Sequence, residues 1–416
     1  MRSFYIQSAE KARAQHAMKV LQINVRASQG GAGRVALDLH RRLRLADVDS
    51  HLLYGYASGI TDDRMVAGDE TIERMGTMPS VLFNYACHRT FGLDVLSGRK
   101  ELLRAAVASS DIVHVHAPHH HFLRWDYLVG LIREYRKPTV ITAHDWWFIT
   151  GRCGFIEDCS GWKRGCGECG KMRFRDPKSL FDFSRHFRRR KVESITQLKD
   201  AVHFVCPSSH LAEDYRMTYP NSTIEVIPNG IDREFESALE QTDGEASIRN
   251  GFVFSAADLS SNLKIDFALV EELAGRDHVH LILVGKNNPF KQPGLEVCGE
   301  VRQRKEMVRI LRRARALVFC SRADNSPLTI IEALCAGCFV LAYASPAADE
   351  ILARVAGNSV PDRKAMIDVI LSDNIECLYG GIDSAELARR SRLMFSGDKI
   401  TRAYINCYAE MLKRPV

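Results

Sequence analysis

The chain has 416 residues, 46% of them apolar and 26% charged, the ordinary balance of a globular protein. Single hydrophobic cores stop growing near ~250–300 residues, so two or three domains are expected. No run approaches ~18 uninterrupted apolar residues, which argues against a membrane-spanning helix, and residues 1–17 lack the apolar core of a secretory signal. They read as a leader, and the chain as cytoplasmic. The net charge of +6 is uneven: residues 1–232 hold 33 Lys and Arg against 26 Asp and Glu, and the remainder 24 against 25. A basic first half suits a polyanionic partner: nucleic acid, an anionic membrane surface or a pyrophosphate-linked acceptor. The plain alternative is a solvated basic surface.

Short apolar runs recur with helical stretches between many of them. In the first half they predict strands at 20–25, 112–116, 139–142, 203–206 and 225–227. In the second half they predict strands at 252–255, 280–284, 295–298, 316–320 and 339–342. The alternation indicates an α/β protein with parallel sheets buried on both faces. The first series closes at VIPNGID, ending on Asp232, and the polar stretch 233–250 reads as a linker before a second series begins at Phe252. Two Rossmann-like domains, 18–232 and 251–390, facing each other across a deep cleft are therefore expected. In such folds ligands sit beyond the carboxyl ends of the strands.

After the first strand, SQGGAGRVALDLHRRL carries Gly30, Gly31 and Gly33 ahead of a helical face of Val35, Leu39 and Leu43. A tight turn at a helix N-terminus can hold a phosphate or a sugar hydroxyl, although this is not the dinucleotide fingerprint. Next, DIVHVHAPHHHF places His116 at a strand end and His119, His120 and His121 in the loop; TAHDWW then puts His144 and Asp145 at the end of the following strand. Imidazoles and a carboxylate on one sheet edge suit acid–base or hydrogen-bond work. A metal site is the alternative, although they lack the fixed helical spacing of one. Third, SRADNSPLTIIEALC follows a strand, and Pro327 suits the first turn of a helix. The N–H groups of Ser326, Leu328 and Thr329 are then free to meet a phosphate. Asp324 and Glu332 can address hydroxyl-rich ligands, because a carboxylate accepts two hydrogen bonds at once.

This last stretch resembles the E-x7-E signature of retaining family-4 glycosyltransferases of the GT-B fold. Asp324 stands in place of the first Glu, a variant of the colanic-acid and exopolysaccharide type. GGAGRVA, HVHAPH, VIPNGID, LILVGKN, CGEV and FSGDKITRAYINCYAEML match the family's order from about residue 18 onward. The resemblance implies a hexosyltransferase. It would move a hexose-type sugar from a nucleotide-sugar to a growing exopolysaccharide, lipopolysaccharide or lipid-linked glycan acceptor. A C-terminal helix within 391–416 would cross back to the first domain. Residue by residue, it implies that Glu332 holds the ribose, Asp324 the transferred sugar and Lys264 the donor diphosphate. His119 would touch the sugar, and Gly31 would border the diphosphate or acceptor. Gly285, Val301 and Asn325 join Ser326, Leu328 and Thr329 around the donor. Arg322 compensates for an arginine that the family places where this chain has Asp258. His116, His144 and Asp145 border the acceptor, and no cofactor is expected for catalysis. The alternatives are a nucleotide-sugar epimerase or phosphorylase on the same plan, a degenerate sugar-nucleotide-binding subunit and a nucleic-acid-binding protein. The basic residues do not alternate with aromatics as a nucleic-acid stacking platform would, which argues against the last.

Two segments remain. In SLFDFSRHFRRRKVESITQL, Leu180, Phe183, Phe187, Val192, Ile195 and Leu198 approximate one helical face, with Arg185, Arg188, Arg189, Arg190 and Lys191 crowded between them. Such a helix can lie peripherally on the inner, anionic membrane surface or simply face a core. In the glycine-rich loop 151–171, Cys153, Cys159, Cys166 and Cys169 match the four thiolates of a structural zinc. Disulfide or redox chemistry and free thiols are the alternatives.

Overall fold

The computed structural model describes residues 18–56, 66–157, 159–173, 178–244, 249–276, 278–321 and 324–414. The chain divides into two compact units: Met1–Cys206 with Ala212–Glu225 and Thr401–Val416, and Pro207–Leu211 with Val226–Ile400. Each unit is built on its own sheet, which gives the α/β architecture expected from the strand–helix alternation.

The first sheet has seven strands: β1 (Lys19–Asn24), β2 (Asp49–Tyr54), β3 (Ile72–Arg74), β4 (Ile112–Val115), β5 (Thr139–Thr142), β6 (Val202–Cys206) and β7 (Thr223–Val226). Their order is β3-β2-β1-β4-β5-β6-β7. β1 pairs in parallel with β2 and β4, β2 with β3, β4 with β5 and β5 with β6. β2 and β3 were not expected. DSHLLY opens on three polar residues and IER is only three residues long, so neither carries an apolar run.

The two faces of this sheet differ. Leu21, Ile23, Val113, Val115 and Ile141 fill one face with hydrocarbon. The register sets Gln22 beside His114, so their side chains share the opposite face. That face also holds Ser50, His116 and Thr142, all buried. Buried polar groups must find partners, and these bond to one another. Gln22 Nε2 donates to Ser50 Oγ at 3.0 Å, and His116 Nε2 lies 2.9 Å from Gln22 Oε1. The Gly30–Leu45 helix covers part of the face and contributes His40, whose Nδ1 is 2.9 Å from Ser50 Oγ and whose Nε2 is 3.0 Å from Thr71 Oγ1. The Gly397–Lys413 helix passes from the second unit to the first at Thr401 and covers another part. Its Tyr408 hydroxyl sits 2.7 Å from His114 Nδ1, and its Tyr404 hydroxyl 3.0 Å from Thr142 Oγ1.

The second sheet has β8 (Phe252–Asp258), β9 (Leu281–Lys286), β10 (Leu295–Gly299), β11 (Ala316–Phe319) and β12 (Phe339–Ala342), in the order β10-β9-β8-β11-β12, with parallel pairing throughout. Helices bury both of its faces in one apolar cluster. The passage between units falls at Val226 rather than after Asp232. The stretch expected as a linker opens as the Arg233–Gln241 helix, which buries Phe235, Ala238 and Leu239. Asp232 caps it, accepting from Phe235 N at 2.8 Å. Glu234 and Glu236, whose acidity suggested a linker, occupy the first turn, where negative charge favours the helix dipole.

The buried imidazoles give a pH dependence with a definite sign. Burial lowers His40 and His144 to about 4 and His114 to about 3. Between those values and about 6.5 the unfolded chain binds more protons than the folded one, so stability rises with pH through that window and is lost on acidification. Urea midpoints should therefore fall steadily from pH 7 to pH 4.5. Each such histidine adds at most about 1.4 kcal/mol per pH unit to the slope, and His114→Asn should flatten it. An equal slope in the variant would show that His114 does not titrate on unfolding.

Candidate functional site

In the first unit the chemistry gathers where β4 and β5 end. His116 and His144 approach with Nδ1 and Nε2 3.1 Å apart. His116 Nε2 faces the Gln22 carbonyl oxygen and so carries the proton; its Nδ1 then accepts from His144 Nε2–H. Burial keeps both imidazoles neutral: His116 is held well below its ordinary value and His144 at about 4. Beside them, His119 Nε2 lies 3.2 Å from Asp145 Oδ2, while the Trp147 N–H donates to Asp145 Oδ1 at 2.8 Å. Burial opposes ionisation of Asp145, but the His119 and Trp147 hydrogen bonds outweigh it and hold the carboxyl below the usual carboxylate range.

His119, Asp145 and Trp147 line a cavity of about 1030 Å³ in this unit, with Tyr56 and Trp125 among its other walls, while His116 and His144 lie buried behind it. Lys191 also reaches it. Its Nζ donates to Trp147 O at 2.5 Å and Gly151 O at 3.2 Å and stands 3.8 Å from the centre of the Trp147 ring. Burial lowers this lysine to about 7, against the pull of Asp145. It was expected on a membrane-facing helix, and the structure places it inside. The Ser184–Thr196 helix likewise buries Ile195. Of that face Leu180 stays exposed, and Phe83, Phe91, Leu93 and Phe181 are among the other apolar side chains left exposed.

The glycine turn opens the Gly30–Leu45 helix. Gly30 has φ 74°, which favours glycine, and a side chain at Gly31 would meet only open space. The first-turn N–H groups there have no intrahelical acceptors.

In the second unit the expected residues lie around the N-terminus of the Leu328–Cys335 helix. Pro327 is its cap residue, one position before the first turn. Leu328 and Thr329 supply first-turn N–H groups, and Asn325 is buried just before them. The Ser326 hydroxyl is buried without a hydrogen-bond partner among the described residues. Lys264 Nζ reaches both carboxylate oxygens of Asp324, at 2.7 and 2.8 Å. Glu332, 5% exposed, is ion-paired with Arg304 at 3.3 Å, and Arg304 also bonds Asp232. Arg304 was not singled out in the sequence, where RQRKEM looks like a solvated helix start. Arg322 lies outside the described residues.

Asp258, at the position of the absent arginine, closes a turn. Its carboxylate accepts from Ser260 N, Ser260 Oγ and Asn287 Nδ2 at 2.9, 2.6 and 2.9 Å. Two residues expected at the donor site have packing reasons of their own. Gly285 has φ 149°, and a Cβ there would stand 2.1 Å from Ala256 O. Val301 is half-buried against the apolar cluster.

The four loop sulfurs are spread more widely here than the ligands of a bound zinc. Tetrahedral thiolates at ~2.3 Å from zinc sit about 3.8 Å apart, and no three of these sulfurs lie within 4.8 Å of one another. Cys159 is exposed, while Cys166 turns inward to accept from Gly151 N at 3.2 Å.

Comparison with known proteins agrees with this geometry. The family model Glycosyltransferase Family 4 matches residues 29–235, and Glycosyl transferases group 1 matches residues 260–372. A protein of Escherichia coli (strain K12), named as a colanic acid biosynthesis glycosyl transferase (WcaC), is 31% identical over 409 residues, 95% of this chain and 100% of that protein. Among solved structures, Anabaena Alr3699/HepE in complex with UDP and glucose has a TM-score of 0.62 at 14% identity, covering 94% of this chain and 100% of that one. Sucrose-phosphate synthase of Thermosynechococcus elongatus has a TM-score of 0.62 at 13% identity, with 95% and 99% covered. The two parallel-sheet units are those of the GT-B fold, and the chain belongs to the glycosyltransferases of the family 4 and group 1 type.

Proposed function

We propose that this transferase moves a hexose-type sugar, with retention of anomeric configuration, from a nucleotide-sugar held in the second unit to a lipid-linked glycan acceptor. The product would be an exopolysaccharide of the colanic-acid type. The observation that carries the donor assignment is that the Leu328–Cys335 helix holds Glu332, paired with Arg304, while Asp324, paired with Lys264, stands just before its start. A buried carboxylate that still presents acceptor capacity suits the two hydroxyls of a ribose. Lys264 and the Leu328 and Thr329 N–H groups suit the charge that develops on a leaving nucleoside diphosphate. Charge stabilisation is thus assigned to protein groups, with no cofactor in the step. In this reading Asp324 meets sugar hydroxyls, His119 touches the transferred sugar, and Asp145, with His144 and His116 behind it, borders the acceptor.

The probes are UDP-sugars, because HepE is described in complex with UDP and glucose. Glu332→Gln should weaken donor KM by about one to two orders of magnitude, since charge-assisted hydrogen bonds are worth roughly 1.5–3 kcal/mol. Lys264→Ala should act mainly on kcat. Donor KM unchanged in Glu332→Gln would refute the ribose assignment. Nucleotide release without acceptor, or an inverted anomer by proton NMR of the product, would refute acceptor-dependent retaining transfer.

The acceptor's lipid would bring the enzyme to the inner membrane surface. The apolar residues exposed at Phe83, Phe91, Leu93, Leu180 and Phe181 favour this reading, and they come from neighbouring segments, since Leu180 N bonds Arg89 O at 3.0 Å. Arg185, Arg189 and Arg190 on the nearby Ser184–Thr196 helix add cations, each worth about 1 kcal/mol near an anionic surface. Sedimentation with anionic vesicles should therefore pull down the wild type, and Phe91→Ser with Phe181→Ser should lower that binding about tenfold or more. Equal binding of the double variant would move the contact elsewhere.

A further inference from the structure

Apart from the His119–Asp145 pair, the first-unit cavity wall carries a second constellation. His88 comes from the Met78–Phe91 helix, Asp94 from the segment after it and His121 from the loop after β4. A ring nitrogen of each histidine and a carboxylate oxygen of Asp94 lie within 4.8 Å of one another. Nδ1 of His121 is 2.8 Å from Asp94 Oδ1, and Nδ1 of His88 is 3.6 Å from the same oxygen. Zinc binds imidazole nitrogen and carboxylate oxygen at ~2.0–2.2 Å, which sets neighbouring ligand atoms about 3–3.5 Å apart. The three side chains therefore stand near coordination spacing.

Two features argue for more than an ion pair. Nδ1 of His88 is buried without a hydrogen-bond partner among the described residues, a costly state for a ring nitrogen. The group is also braced from behind. Asn84, one turn before His88 and 1% exposed, donates to His121 O at 2.7 Å and to Leu96 O at 2.9 Å. It accepts from Val95 N at 2.9 Å and Leu96 N at 2.8 Å. One amide thus uses its full capacity to fix the segments that present Asp94 and His121. His121 is held at φ 65°, a left-handed conformation that persists only where its surroundings impose it. Outer-shell bracing of this kind orients metal ligands.

We propose that His88, Asp94 and His121 bind a divalent transition-metal ion of the zinc type. Two imidazoles and one carboxylate leave a position open, as in zinc sites that hold water or a substrate oxygen, and that position faces the cavity. The assignment is separate from the cysteine loop and stands whatever molecule the cavity takes.

The test uses the full chain, stripped with a chelator and exchanged into metal-free buffer. Co²⁺ is titrated in and read by its visible absorption, with Zn²⁺ as competitor and elemental analysis for stoichiometry. Wild-type protein should take up one cobalt per chain, displaced by zinc. Asp94→Asn keeps the side-chain shape and removes the charge, and should bind about 100-fold more weakly. Where that variant lowers the metal-free melting temperature, His88→Gln carries the same expectation. Cys407→Ser removes a residue of the His203–Glu225–Cys407 group, the other set of three ligand atoms within 4.8 Å. Both it and Cys169→Ser should bind cobalt as the wild type does. No stoichiometric uptake by the wild type, undiminished uptake by Asp94→Asn and His88→Gln, or loss of uptake in Cys407→Ser would each overturn the assignment.

Discussion

The first unit depends on a row of buried hydrogen bonds that all donate in one direction. His144 gives to His116, His116 to Gln22, Gln22 to Ser50, Ser50 to His40, His40 to Thr71, and Thr71 to Asp69. Each member's acceptor is fixed by the proton its neighbour supplies, so the tautomers of three imidazoles are set together. In a low-dielectric interior such a row stiffens when complete and is costly when one member is missing. The imidazole at its head, His144, adjoins Asp145. The cavity wall is thereby located by residues on the far strands of the sheet, and Ser50 on β2 bears on the position of a group beyond β5.

The second unit solves a different problem, that of placing a carboxylate in an apolar setting. Glu332 sits in a helix whose neighbours Ile330, Ile331, Ala333 and Leu334 are all buried. An isolated charge there would be prohibitive, and removing one partner of a buried pair is strongly destabilising. Arg304 resolves this while also holding Asp232, the cap of the Arg233–Gln241 helix. Lys264 and Asp324 neutralise each other across the mouth of the same helix. Were a ligand carrying phosphates to bind there as proposed, it would meet a lysine already engaged and exchange one ion pair for another.

How legible this was in the sequence depends on the kind of evidence each element leaves. The ten expected strands were readable because parallel strands buried on both faces must be short apolar runs; all ten coincide with strands to within a few residues. β2 failed that test because Ser50 serves the buried polar row and His51 faces out. His116, His144, Asp145, Asp324 and Glu332 could be nominated because strand ends and helix starts are topological positions. Their partners could not. Gln22 in KVLQIN, Arg304 in RQRKEM, Lys191 among arginines and Asp94 in FGLDVL each read as ordinary polar residues, and the interactions that give them meaning span 94, 28, 44 and 27 positions. The cysteines show the converse: close spacing along the chain does not force closeness in space when Gly151 offers Cys166 another partner.

The helix that runs from one unit into the other has a consequence for how the protein comes to be made. Tyr404 and Tyr408 cover His114 and Thr142, yet they leave the ribosome some 260–290 residues after those strands. All of residues 226–400 can emerge and close around their own core first. The half synthesised earliest is therefore the half completed last. Until the final turns of the chain dock, His114 and Thr142 lack the hydroxyls that meet them, and a nascent chain stalled near residue 400 would display a finished second unit joined to an unsealed first one.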